Sequence, residues 1–100
     1  MAQPRTKLHD LLKVITDNVY FQPPENFKLE YPCILYKRED AEFRHANNAL
    51  YDQFKKYQVT VIDRDPESGI PDEVAKLPMC SFNRHFTADG LNHDVYQVFF

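Results

Sequence analysis

Cys80, His85 and His93 are separated by four and by seven residues, and Cys33 lies far upstream of all three. Zinc sites in small domains use ligands paired two to four residues apart, so that both reach one ion from the same turn or hairpin end. That pairing is missing here, and no metal ligand is assigned. A nucleophilic cysteine needs an exposed thiol with a base in reach. Cys33 and Cys80 instead stand beside Ile34 and Phe82 in apolar runs, the setting of buried, protonated thiols in a reducing compartment. Asp63 and Asp65 would suit Mg2+ as paired carboxylates, but Arg64 between them and Pro66 after them fit a charged turn better. Two glycines in the whole chain leave no phosphate-cradling loop. Phe54-Lys55-Lys56-Tyr57 and Phe82-Asn83-Arg84-His85-Phe86 interleave cations with aromatic rings, as single-stranded nucleic-acid binders do. Core aromatics alternating with solvent-facing charge give the same spacing, and a net charge of −3 disfavours phosphate binding. No catalytic residue, cofactor site or metal site is therefore expected.

The elements that would position these residues follow from periodicity. Leu8, Leu11, Leu12 and Ile15 recur at helical spacing and predict an amphipathic helix over residues 5–17, begun at Pro4 and stopped near Asn18. On that stripe Leu11→Asp is expected to be among the most damaging changes. Val19-Tyr20-Phe21 is a short apolar run cut by Pro23-Pro24 and predicts an edge strand or extended arm. Cys33-Ile34-Leu35-Tyr36 is a strand apolar on both sides. In residues 55–65, Tyr57, Val59 and Val61 alternate with Gln58 and Thr60, which marks the central strand. Ile70, Val74 and Leu77 form one face of a second, short helix between Pro71 and Pro78. Cys80, Phe82 and Phe86 alternate with polar residues and predict a half-buried strand. Asp89-Gly90 is a hairpin turn signal, and the last strand runs over residues 92–100. That turn sets His85 directly across the hairpin from Asp94, a structural pair rather than a catalytic one. The sum is one α+β domain over residues 1–100. It has an antiparallel sheet with a long β-hairpin, packed by an N-terminal helix and a second short helix.

Two stretches are left over once the core is assigned. From Arg38 to Gln53 the chain turns to charge, amide and isolated aromatics, among them Arg38, Glu39, Asp40, Glu42, Phe43, Arg44 and Tyr51. So long a loop is uncommon in a compact domain unless it functions or extends its flanking strands. A long hairpin with arms over residues 33–43 and 51–64 and its tip near Ala46-Asn47-Asn48 is expected, with a solvated loop as the alternative. The last strand, Val95-Tyr96-Gln97-Val98-Phe99-Phe100, is apolar on both faces, which in a monomer invites edge pairing. The hairpin residues together with Phe99 and Phe100 are the candidate interface, and a homo-oligomer is the expected state. The chain carries no apolar run of signal-peptide or membrane-span length, so a cytosol-like setting without membrane contact is expected.

Tyr31-Pro32-Cys33-Ile34-Leu35-Tyr36, the run from Tyr57 to Pro66, Leu77-Pro78-Met79-Cys80 and Leu91-Asn92-His93-Asp94-Val95-Tyr96 resemble a family of tail-terminator or tail-completion proteins of long-tailed bacteriophages. The resemblance spans residues 8–100 and rests on structural words, not catalytic ones. It implies a virion protein of the tail–neck junction, assembled in the host cytoplasm. Such a protein forms a hexameric ring that stops growth of the tail tube, with the tube protein on one side and a neck or connector protein on the other. DNA would pass through the lumen without specific binding, helped by Glu39, Asp40 and Glu42 and opposed by Arg38 and Arg44. A head–tail connector of similar fold is the alternative within this class. A small binding module or enzyme is the alternative outside it.

Overall fold

The computed structural model describes residues 4–39 and 55–100. Two helices and five strands follow in the order α1 (Arg5–Ile15), β1 (Val19–Phe21), β2 (Cys33–Glu39), β3 (Lys56–Asp63), α2 (Ile70–Ala75), β4 (Cys80–Ala88) and β5 (Leu91–Phe99). This is the expected α+β architecture, with α1 packed on the sheet. The strands lie in the order β1-β2-β3-β5-β4, so the run read as the central strand is the middle one of five. The sheet is mixed rather than wholly antiparallel, because β1 runs parallel to β2, with Val19 beside Ile34 and Phe21 beside Tyr36. The segment joining β1 to β2 carries the chain back to the start of the sheet, where Asn18 Nδ2 donates to the Pro32 carbonyl at 3.1 Å.

Period two along each strand separates the faces. One face carries Ile34, Tyr36, Tyr57, Val59, Val61, Tyr96 and Val98, which join Leu8 and Leu12 of α1, Val74 of α2 and Phe100 in one buried cluster. Tyr96 Oη donates to the Pro71 carbonyl at 3.1 Å and so ties α2 to β5. The register puts Leu35, Lys37, Gln58, Thr60, His93, Gln97 and Phe99 on the other face, most of them partly exposed. Among the described residues, Cys33, Ile62 and Val95 are the ones deeply buried there.

The helix stripe is narrower than its spacing suggests. Leu8 and Leu12 are fully buried, whereas Leu11 is 41% exposed. One residue from Leu12 is a rotation of about 100°, enough to carry Leu11 to the flank of the helix. There it lines a crevice with Lys7, Asp10, Pro78 and Phe100. Leu11→Asp is thus not among the most damaging changes; that place belongs to Leu8 and Leu12.

The C-terminal strands also differ from expectation. β5 is no edge: it pairs with β3 on one side and β4 on the other, and its two-sided apolar character is used within the chain. Lys55 and Phe100 exchange backbone hydrogen bonds of 3.1 and 2.9 Å and extend that pairing by one residue. β4 is the edge and is exposed rather than half-buried along most of its length. The ladder slips between Phe82 and Arg84, so that Phe82 faces Tyr96 while Arg84 faces Val95. The extra residue reverses the facing of everything after it. Phe82 therefore lies on the helix-bearing face and Phe86 on the opposite one. The Asp89-Gly90 turn is as expected, with φ of 53° and 75°, the left-handed pair of a type I′ hairpin.

Candidate interaction surface

The β4–β5 register places the chemistry-bearing residues apart. His85 lies opposite Asp94, as the hairpin turn predicts, and its Nδ1 is 2.7 Å from Asp94 Oδ1. His93 points to the other face, where its ring stacks on Phe86 at 4.5 Å. Cys80 pairs with Val98 at the far end of the hairpin. The three side chains thus cannot converge on one ion. Among the described residues no other group of three or more His, Cys, Asp or Glu comes together either.

Both thiols are free. Burial, and after it the Asp63 carboxylate, pushes Cys33 up to about 11, and burial also raises Cys80. A thiol held protonated at neutral pH is a poor nucleophile. Asp63 and Asp65 act as turn formers: Asp63 Oδ1 accepts from the Asp65 amide at 3.0 Å, and Asp65 Oδ1 from the Glu67 amide at 2.9 Å. Asn92 Nδ2 reaches the Asp63 carbonyl at 3.3 Å from the neighbouring strand. Each carboxylate oxygen used this way satisfies a backbone donor that would otherwise be orphaned beyond the ladder.

Of the candidate interface residues, Asp40, Glu42, Phe43, Arg44 and Tyr51 lie outside the described residues, as does the expected hairpin tip. The base of that hairpin is described. β2 and β3 pair antiparallel from Cys33–Ile62 to Glu39–Lys56, the pairing that arms over residues 33–43 and 51–64 require. Glu39, Lys56 and Phe99 then form one row across β2, β3 and β5, with Lys56 Nζ 3.4 Å from Glu39 Oε1. Arg38 projects to the opposite face beside Tyr57 and is exposed, its amide donating to Gln22 Oε1 at 3.2 Å. Phe100 is 8% exposed and belongs to the core of its own chain.

The surface best suited to a partner falls on the strand expected to be half-buried. Phe82 is 58% exposed, Met79 39% and Phe86 38%, and all three lie on β4 or immediately before it. Arg84 sits between the two phenylalanines in sequence, its guanidinium 5.6 Å from the Phe86 ring. An edge strand of nine residues with apolar groups on both faces is the kind of edge that isolated proteins avoid or blunt. Away from it, toward the β1 side of the sheet, an open groove of about 640 Å³ is lined by Gln22, Pro23, Leu35, Tyr36, Lys37, Arg38, Gln58 and Thr60. The signal that could have shown the bulge is Asn83-Arg84-His85, three polar residues in succession inside a strand pattern of period two.

No family model, curated protein or solved structure matches this chain.

Proposed function

We propose that the chain is a structural assembly subunit, a ring-forming virion protein of the tail-terminator or tail-completion kind that works through its edges and faces. The observation that carries this reading is the β4 edge, nine residues long with Phe82 and Phe86 exposed on opposite faces. Pairing such an edge with another chain satisfies its backbone groups and removes both rings from water together. Full burial of an aromatic side chain contributes about 1.5–3 kcal/mol, so one edge contact is weak alone. Repeated around a closed hexameric ring, it is cooperative. The remaining polar constellations support an assembly role over catalysis, since His85–Asp94 and Asp63–Asp65 are spent on local hydrogen bonds. The acidic balance of the chain is compatible with DNA passing nearby without sticking.

Sedimentation and native mass spectrometry of the full chain, alone and with a tail-tube protein, test the proposal. A closed ring in either condition is expected, together with electron density for this chain at the tail–neck junction of particles. A monomer at high concentration in both conditions, or tails of normal length in particles lacking the chain, would sink it.

A further inference from the structure

Tyr36 is only 1% exposed in the middle of β2, yet its hydroxyl takes two partners from α1. Arg5 Nη1 is 2.8 Å away and His9 Nδ1 is 2.7 Å away. A guanidinium has only protons to give, so the hydroxyl accepts from Arg5. Its own proton has a partner only if it goes to His9 Nδ1. The arrangement that satisfies every group therefore needs a neutral imidazole with its proton on Nε2. Arg5 also lies over the Phe21 ring at 4.3 Å, and the His9 and Tyr36 rings tilt together with centroids 5.6 Å apart. The first turns of α1 are thus hung on β1 and β2 by a cluster whose hydrogen bonds close only around a neutral histidine.

We propose that His9 is a pH-sensitive latch: protonating Nδ1 turns its contact with Tyr36 from acceptor to donor, strands the tyrosine proton between two cations, and loosens the start of α1 from β1 and β2. The charged groups around it are mostly positive. Desolvation first, then Arg5 and Lys13 on the same helix, hold His9 below the ordinary value of 6.5, with Asp10 opposing. Arg38, two residues beyond Tyr36 on the same side of β2, is exposed and is not among the charges that shift the group. Tyr57, whose ring centroid is 6.1 Å from that of Tyr36, and Phe21 bring none. Because the folded chain holds this group below its unfolded value, the stabilisation is complete above pH 6.5 and is lost as pH falls toward the folded midpoint. The latch belongs to the single chain and stands whether or not copies assemble.

The test is a histidine-resolved NMR titration with amide hydrogen exchange on the intact protein. Expected is an Nε2–H tautomer for His9 at neutral pH and a titration midpoint below 6.5. Protection of α1 amides should fall relative to β3 amides by up to about tenfold per pH unit between those two midpoints. In Tyr36→Phe the His9 midpoint should move up toward the ordinary value. In His9→Asn, which keeps an acceptor near the Nδ1 position and cannot be protonated, α1 protection should follow β3 at every pH. A proton on Nδ1 at neutral pH, a midpoint at or above the ordinary value, or the same loss of α1 protection in His9→Asn overturns the latch.

Discussion

The orientation of α1 can be tested by truncating two adjacent leucines. Leu12 is fully buried among the sheet residues, and Leu11 is 41% exposed at the flank. Leu12→Ala removes three buried carbons and leaves a cavity under the helix, at a cost of about 2–5 kcal/mol. A domain of this size has a total stability of about 5–15 kcal/mol, so the change takes a large share of it. At about 4–8 °C for each kcal/mol, the midpoint of thermal unfolding should fall by at least about 8 °C. Leu11→Ala loses the transfer energy of only part of a side chain and opens no enclosed cavity, so its cost should stay below about 1 kcal/mol. Urea denaturation followed by circular dichroism gives both values on one scale, and an unchanged slope would show that unfolding remains two-state. Equal losses for the two variants, or a larger loss at Leu11, would mean that the helix is rotated by one position from the arrangement described.

Other consequences follow from the sheet. Phe82→Glu lies on an exposed edge and should change the stability of the isolated chain by no more than about 0.5 kcal/mol; the same substitution should lower the oligomer fraction in native mass spectrometry, and an unaltered oligomer would remove β4 from the interface. Tyr96→Phe deletes the donor to the Pro71 carbonyl and should cost about 0.5–1.5 kcal/mol in urea, with faster amide exchange in α2. Cys33 is held protonated, so its stabilising contribution is complete below the unfolded thiol value of 9.0 and is lost as pH rises toward about 11. Cys33→Ala should accordingly flatten the alkaline limb of the stability profile, even though it lowers stability at neutral pH.

Local chemistry made much of this chain legible. Leu8 and Leu12 four residues apart mark a helix wherever it sits, Asp89-Gly90 can form a left-handed turn without help from distant residues, and that turn by itself counts His85 to Asp94. The antiparallel start of the β2–β3 hairpin and the burial of Tyr57, Val59 and Val61 follow from period two in the same way. The Tyr36 cluster was not readable, because Arg5 and His9 stand 31 and 27 residues from the hydroxyl they share and nothing in their spacing points to it. Nor was the exposed β4 surface, since an alternating aromatic strand reads alike at the centre and at the edge of a sheet.

What the sequence by itself determined about this protein is therefore the kind and order of its described elements, and the Asp89-Gly90 turn that joins β4 to β5. Only the tertiary structure decided that β5 inserts between β3 and β4, that β1 joins parallel to β2, that Leu11 misses the core, and that Phe82 and Phe86 part to opposite faces. The physical reason is range. Helix stripes and turns are settled by contacts within a few residues, whereas strand order and exposure depend on which apolar faces cover one another, and for β5 that choice is shared between a strand about 30 residues away and the hairpin partner beside it.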